Sequence, residues 1–172
     1  MYGIVFTVLG RCPGALGLVL RQKIYPLLLG GCGRRVLFGR YLTLRNPAQI
    51  HIGDNSVISD YVTLDAGSGK RGSAPIIIED NVFIGTGALL RNRGWDMSVG
   101  RGSSLGSFCR IHAHCPVSVQ EEALLAAYCI LGRARSGTAA ARRGPTGQAV
   151  RETVVGRGCW LGVRSYVGPG CR

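Results

Sequence analysis

Lysine and histidine are scarce in this chain of 172 residues. Lys23 and Lys70 are the only lysines, the histidines number three, and the net charge of +12 comes almost entirely from arginine. A balance of this kind indicates an anionic partner, such as a nucleotide, a nucleic acid or an acidic lipid. The arginines are scattered along the chain rather than clustered with aromatic residues, which argues against nucleic-acid binding.

Long uninterrupted apolar runs are also missing. Residues 1–33 are largely apolar, but Arg11, Arg21 and Lys23 interrupt them, and no run reaches the length that spans a bilayer. The first ten residues contain no basic side chain. A secretory signal begins with a basic segment, so we expect none here.

A six-residue repeat organises the chain from residue 52 to residue 172. Each unit opens with an aliphatic residue, usually continues with a small or acidic residue, and has a small residue four positions after the first. A fixed short period predicts a solenoid. In a strand that alternates inward and outward, the aliphatic residue points into the core, and three units would form one coil of about 18 residues stacked on the next. The units open at Ile52, Ile58, Ile78, Ile84, Val99, Leu105, Ile111, Leu125, Val155, Leu161 and Val167.

This repeat resembles that of the hexapeptide-repeat acyltransferases. The resemblance implies an all-β fold, namely a left-handed parallel β-helix of hexapeptide repeats with an N-terminal apolar helical segment. We expect that cap segment to span residues 1–47 and the β-helix to span residues 48–172, with an irregular strand pair at 33–47. Residues 67–75 and 132–153 interrupt the repeat and are predicted to be loops.

Four stretches, 36–40, 42–45, 125–129 and 159–162, resemble bacterial O-acetyltransferases of the polysaccharide and maltose/galactoside type. The resemblance implies transfer of an acetyl group from acetyl-CoA to a hydroxyl of a sugar or polysaccharide precursor. It also implies a homotrimer in which acetyl-CoA lies along the outside of the prism between two subunits. The residues that match the pantetheine-lining stretch are Trp160, Gly162 and Val163, and Arg164 is placed to meet a phosphate of the cofactor.

The chain departs from this family at the catalytic histidine. The family has a Gly-Gly-His sequence after the tyrosine–cysteine pair, but here residues 132–135 are Gly-Arg-Ala-Arg, and the loop contains no histidine. Arginine stays protonated and cannot act as the base. A family asparagine is also missing at the step from Ser107 to Phe108.

Two other histidines are candidates for the general base. His112 and His114 occupy positions two and four of the unit that Ile111 opens, so both are expected to point outward at one corner. Histidine is the natural base near neutral pH. We predict His114 as the catalytic base with His112 as the alternative, although a corner histidine without a role explains the pattern as simply. His51 is expected to be structural.

Three functions stay open at this point. The first is the acyl-CoA-dependent O-acetyltransferase. The second is a non-catalytic or C-terminally truncated family member, because the loop histidine is missing and the repeat stops abruptly at Arg172. The third is a metal-dependent hydratase like the carbonic anhydrases that share this fold, but His51 is expected to lie several coils away from the other two histidines that such a site needs.

The seven cysteines form no CxxC pair. Five of them occupy the small position of the repeat, where a buried cysteine behaves as a small hydrophobic residue. We predict that these five are reduced and buried without a metal, and a reducing cytoplasmic compartment follows. They are Cys109, Cys115, Cys129, Cys159 and Cys171.

The N-terminal segment and the outer faces predict contacts with partners. Pro13 opens a predicted helix that Pro26 ends or kinks. The helix either caps the first coil or lies on anionic lipid with Arg11, Arg21 and Lys23 at the headgroups, which would make the protein membrane-associated. Flat faces and outward aromatic residues favour self-association, most simply as a trimer. These aromatic residues are Phe108, Trp160 and Tyr166.

Overall fold

The computed structural model describes residues 14–67, 74–132 and 151–172. These residues form helix α1 (Gly14–Leu28), a short 3₁₀ helix (Pro47–Gln49) and eighteen strands. The strands are β1 (Gly31–Cys32), β2 (Leu37–Phe38), β3 (Thr43–Arg45), β4 (Ile50–Ile52), β5 (Val57–Ile58), β6 (Thr63–Asp65), β7 (Ile76–Ile78), β8 (Phe83–Ile84), β9 (Leu89–Asn92), β10 (Met97–Val99), β11 (Ser104–Leu105), β12 (Arg110–Ala113), β13 (Val117–Val119), β14 (Leu124–Leu125), β15 (Ile130–Leu131), β16 (Thr153–Val155), β17 (Trp160–Leu161) and β18 (Tyr166–Val167).

The strands form three parallel sheets that make the three faces of a prism. Face A has the order β1-β4-β7-β10-β13-β16, face B has β2-β5-β8-β11-β14-β17, and face C has β3-β6-β9-β12-β15-β18. Successive strands of the chain therefore lie in successive faces. Three strands make one coil, and six coils stack from coil 1 (β1–β3) to coil 6 (β16–β18). The predicted parallel β-helix with a preceding helix is confirmed.

The β-helix starts earlier than expected and its coils are longer. Residues 31–45 form a complete coil rather than an irregular strand pair, so the stacked strands begin before residue 48. Val99 pairs with Val119 and Leu105 with Leu125, which is a spacing of 20 residues rather than about 18. The additional residues lie between face C and face A, because Val99, Leu105 and Ile111 follow one another at six residues, whereas Ile111 and Val119 are eight residues apart.

The same corner contains the two predicted interruptions. Strand β6 ends at Asp65 and β7 begins at Ile76, while β15 ends at Leu131 and β16 begins at Thr153. Residues 68–73 and 133–150 of the predicted loops lie outside the described residues. Every interruption of the repeat therefore occurs between a strand of face C and the next strand of face A.

Aliphatic side chains at the first position of each repeat unit fill the prism. In coils 2 to 5 all eight of these predicted residues are buried, and so is Val155 in coil 6. Leu161 and Val167, which also belong to coil 6, are only half-buried. Strands β16, β17 and β18 are the last in their sheets, so no described coil packs on that side of these two residues.

Helix α1 packs on coil 1. Gly17, Arg21 and Tyr25 form its buried side, and the Tyr25 ring meets the Phe38 ring edge-on with 5.4 Å between centroids. Arg21 Nε donates a hydrogen bond of 3.4 Å to the carbonyl oxygen of Phe38. The alternative in which the helix lies on lipid placed Arg21 at the headgroups. This placement is wrong, because the Arg21 side chain is buried against the β-helix.

Pro26 lies inside the helix rather than at its end. Among the described helices, none is long and apolar enough to cross a membrane.

Candidate functional site

A depression on face C brings together basic side chains from coils 3 and 4, with Thr63 of coil 2 at its edge. Its volume is about 530 Å³, and we call it the face C basin. The strands of face C supply its floor, and the corner that follows face C supplies one wall. It is lined by Thr63, Gly87, Leu89, Arg91, Arg93, Arg110, His112 and His114.

Both predicted histidines line this basin. Along β12 and the turn after it, Ile111, Ala113 and Cys115 are buried, so the intervening His112 and His114 point outward and are half-buried. The two imidazole rings are nearly parallel, with 6.3 Å between their centroids. The backbone N–H of His114 donates a 2.9 Å hydrogen bond to the carbonyl oxygen of His112, which fixes the turn between them.

A column of polar side chains runs down face C beneath His112. His112 is in register with Arg91 of β9, and Arg91 is in register with Asp65 of β6. Arg91 Nε donates to Asp65 Oδ2 at 3.1 Å, and Asp65 Oδ1 accepts from the N–H of Gly67 at 3.1 Å. Because Asp65 is buried and doubly bonded, it holds the Arg91 guanidinium in place directly beside His112.

A turn held by Asn92 presents Arg93 to the basin. Asn92 is fully buried, and its Oδ1 accepts hydrogen bonds from the N–H groups of Gly94 at 2.6 Å and Trp95 at 2.9 Å. Its Nδ2 donates to the carbonyl oxygen of Ala74 at 2.6 Å. An asparagine bonded to the backbone that follows it stabilises a tight turn. Arg93 is therefore carried on a well-defined corner, with its side chain exposed.

Arg110 lies on β12, the strand that also carries His112, whereas Arg93 lies at the corner after face C. Arg110 opens β12, is exposed, and is in register with Leu89 of β9. Within the described ranges, neither Arg110 nor Arg93 takes part in an ion pair, whereas Arg91 does. The basin therefore carries two arginine charges that no described carboxylate neutralises.

The second predicted loop leaves the β-helix beside His112. Gly132 has a φ of +67°, and a Cβ placed on it would lie 2.5 Å from the carbonyl oxygen of His112. Glycine is the residue that adopts this backbone conformation without a steric penalty. The backbone of Gly132 thus approaches the basin closely at the point where residues 133–150 begin.

The four predicted cofactor residues lie elsewhere. Trp160 is on face B in coil 6 and is 75% exposed, and Gly162 and Val163 follow it in the turn towards face C. In the same turn, the Arg164 guanidinium carbon lies 5.9 Å from the centroid of the Tyr128 ring. None of these four residues lines the face C basin. Within one chain, the structure does not bring the histidine pair and the predicted cofactor residues together.

His51 is separate from the other two histidines, as expected. It lies on face A in β4, in register with Gly31 and Ile77. In the part of the chain that the structure describes, no group of three or more His, Cys, Asp or Glu side chains is placed to hold a metal ion.

Sequence reasoning identified the histidines but missed the rest of the basin. Thr63, Arg91, Arg93 and Arg110 were not predicted. These residues could have been found only from the true number of residues in a coil, which the six-residue repeat does not give. With the observed register of 20 or 21 residues, Arg110 falls opposite Leu89 and one coil below Ile130, and Arg91 falls opposite His112.

A comparison with known protein families agrees with the repeat. Residues 75–90 match the family described as hexapeptide repeat of succinyl-transferase. No curated protein matches significantly. Among solved structures, a Bacillus cereus protein whose structure is named as that of an acetyltransferase is 13% identical to this chain, with a TM-score of 0.47. The match covers 81% of this chain and 76% of that one. A hexapeptide-repeat acetyltransferase from Vibrio cholerae O1 biovar eltor, complexed with acetyl-CoA, is 16% identical with a TM-score of 0.45, covering 96% of this chain and 79% of that one. Similarity at this level assigns no role to any residue of this chain.

Proposed function

We propose that the protein is an acyltransferase that moves an acetyl group from acetyl-CoA to a hydroxyl group of a sugar. The observation that carries this proposal is the pair of outward histidines in the cationic face C basin, on a β-helix whose repeat matches a transferase family. The name of the acetyl-CoA complex from Vibrio cholerae agrees with the proposed co-substrate.

The proposed reaction needs one proton acceptor and positive charge near the developing oxyanion. An imidazole nitrogen of His114, or alternatively of His112, takes the proton of the acceptor hydroxyl. The hydroxyl oxygen attacks the thioester carbon, the tetrahedral oxyanion forms and collapses, and the C–S bond breaks. The imidazolium then returns its proton to the departing CoA thiolate. Arg91 lies beside His112, where its fixed positive charge stabilises the oxyanion.

We further propose that two copies of the chain complete the site within a homotrimer. Trp160, Gly162, Val163 and Arg164 would bind the pantetheine arm and a phosphate of acetyl-CoA on one copy, and a neighbouring copy would supply the histidines. An apolar column on face B supports self-association, because its large outward side chains are 43–75% exposed and are aligned along the sheet, with Ser104 between Phe83 and Leu124. Its large members are Leu37, Phe83, Leu124 and Trp160.

The test is thiol release from acetyl-CoA with a panel of sugars, measured for the parent protein and for His114→Ala, His112→Ala and His51→Ala. General-base catalysis is typically worth about 10²–10⁴-fold, so we expect His114→Ala to reduce the rate by about tenfold or more. His51→Ala is the control, because His51 lies on face A, outside the basin.

Parent activity that neither His114→Ala nor His112→Ala changes would refute the base assignment. If the parent neither turns over any sugar nor binds acetyl-CoA, the second candidate replaces the first. That candidate is a non-catalytic member of the family, and it is favoured by the Gly-Arg-Ala-Arg sequence at 132–135, where related enzymes have a histidine.

A further inference from the structure

The charge of the face C basin is far from balanced. Three arginines and two histidines line it, and among the arginines, only Arg91 pairs with a described carboxylate, which is Asp65 below it. Arg93 and Arg110 are exposed and form no ion pair within the described residues. A cavity lined by one sign of charge attracts and concentrates ligands of the opposite sign.

The two unpaired arginines flank the histidines. Arg110 is two residues before His112 on the same strand, so both side chains point outward from β12. Arg93 stands two residues after Arg91, which is in register with His112. A guanidinium binds a carboxylate or a phosphate through two parallel hydrogen bonds, which fixes the orientation of the ligand as well as its position.

The remaining walls suit a compact polar ligand. Thr63 offers a hydroxyl and Leu89 an apolar surface, and the ring of Phe108 occupies the space that a side chain at Gly87 would fill. A volume of about 530 Å³ is within the range of small-molecule sites.

We propose that the acceptor is an acidic sugar, whose carboxylate or phosphate group binds Arg110 and Arg93 while one of its hydroxyls faces the histidine pair. This inference rests on the proposed acetyl transfer. The anion in the basin is the acceptor's own and not a phosphate of CoA. The phosphates of CoA are separated from the thioester by the whole pantetheine arm, so they lie away from the base when the thioester reaches it.

The first experiment measures binding without turnover. The imidazole C–H resonances of the three histidines are followed by NMR while methyl glucuronide or methyl glucoside is added. The two ligands have the same shape and differ in one carboxylate. We expect the resonances of His112 and His114 to move and those of His51 to stay, with methyl glucuronide binding about tenfold or more tightly, as a charge-assisted hydrogen bond predicts.

Three variants assign the preference to the basin. Arg110→Gln and Arg93→Gln should each reduce the ratio of the two affinities. Arg157→Gln is the matched control, because it removes one exposed arginine charge from the corner between faces A and B and should leave the ratio unchanged. Equal affinity for the two sugars, or a ratio that all three variants change alike, would overturn the proposal.

The second experiment separates the acceptor from the cofactor. Transfer rates are measured for the parent and for Arg110→Gln, with either acetyl-CoA or S-acetylpantetheine, which lacks the phosphates of CoA. If the loss in Arg110→Gln persists with S-acetylpantetheine, the acidic acceptor is supported. If the loss disappears, Arg110 binds the cofactor and the proposal fails. Selective binding of methyl glucuronide without any transfer would support the anion site and count against the acyltransferase. Transfer to both sugars without a preference for the charged one would support the acyltransferase and count against the anion site.

Discussion

Serine and cysteine make equivalent bonds at the small position of the repeat unit. Ser103 Oγ donates to the carbonyl oxygen of Gln120 at 2.7 Å and accepts from the N–H of Ala123 at 3.1 Å, so it ties coil 4 to coil 5. Cys109 Sγ contacts the carbonyl oxygen of Ala126 at 3.0 Å in the same way. The small residue at this position is therefore a hydrogen-bonding link between coils as well as a space filler.

This link predicts the effect of Ser103→Ala. The substitution leaves the buried N–H of Ala123 without its acceptor, which typically lowers the free energy of unfolding by about 1–3 kcal/mol. Ser104→Ala is the control, because Ser104 points outward from face B and no hydrogen bond joins its side chain to another described residue. Urea denaturation of the three proteins gives the comparison, and an equal effect of the two substitutions would contradict the role of Ser103.

Thiol reactivity should divide the cysteines into two groups. Cys109, Cys115 and Cys129 are buried, and burial raises the pKa of Cys109 to about 11, so its reactive thiolate is rare at pH 8. Cys159 and Cys171 are exposed. After brief treatment with iodoacetamide, peptide mass spectrometry should find the last two alkylated and the first three protected. Alkylation of Cys109 as fast as Cys171 would show that coil 4 opens readily.

The prediction that all five cysteines are buried was therefore wrong for Cys159 and Cys171. The repeat frame correctly assigns the position that each cysteine occupies within its unit. Burial also requires a coil to be stacked there, and none is described above coil 6. The same physical reason explains why Leu161 and Val167 are only half-buried.

At the scale of elements, the corner between faces B and C forms a ladder of aromatic rings. Tyr41 stacks on Tyr61 with 4.9 Å between centroids, and Phe108 stacks on Tyr128 with 5.2 Å. All four residues have a positive φ, so each occupies the same left-handed position of its turn. Gly87 fills that position in coil 3 and separates the two stacks.

The ladder predicts a measurable coupling between Phe108 and Tyr128. A double-mutant cycle with Phe108→Ala and Tyr128→Ala should give a coupling free energy of about 0.5–1.5 kcal/mol, the usual value of an aromatic pair. The reason is that either single substitution already removes the stacking interaction, so the double substitution costs less than the sum of the two single substitutions. The cycle of Tyr41→Ala with Phe108→Ala is the control, since those two rings are separated along the ladder, and its coupling should be near zero.

The register of these elements was only partly predictable. The six-residue period was visible within each coil, because Leu105 and Ile111 keep it strictly. At the corner between faces C and A the period is lost, and no local pattern shows how many residues the turn uses. The sequence therefore identified His112 as outward-facing but did not reveal its neighbour Arg91, which lies in the preceding coil.

At the scale of the whole molecule, the apolar column on face B predicts the assembly. We expect the protein to sediment as a trimer and the double variant Phe83→Glu/Leu124→Glu to sediment as a monomer, because it places two charges in the column. Ser98→Glu is the control on face A, whose outward surface carries Ser98 beside Ser118. A parent protein that stays monomeric at all concentrations would contradict the trimer and the shared site.

The fold class was predictable from sequence alone, since inward aliphatic residues recur in every coil of the prism. The outer surface of the prism was not predictable, because outward residues follow no period. Phe83 and Leu124 are aligned only after the coils have been stacked in the observed register, through Ser104 between them.

The corner between face C and face A has a consequence for how such a protein can change over generations. Equivalent residues of successive coils are 20 residues apart from Val99 to Val119 but 36 apart from Val119 to Val155, and the three sheets keep their register throughout. Insertions and deletions at this one corner therefore leave the stack intact. Because the corner also borders the face C basin, a lineage can lengthen or shorten it and alter which molecules bind without endangering folding. The same property makes this corner the natural place to graft a foreign peptide.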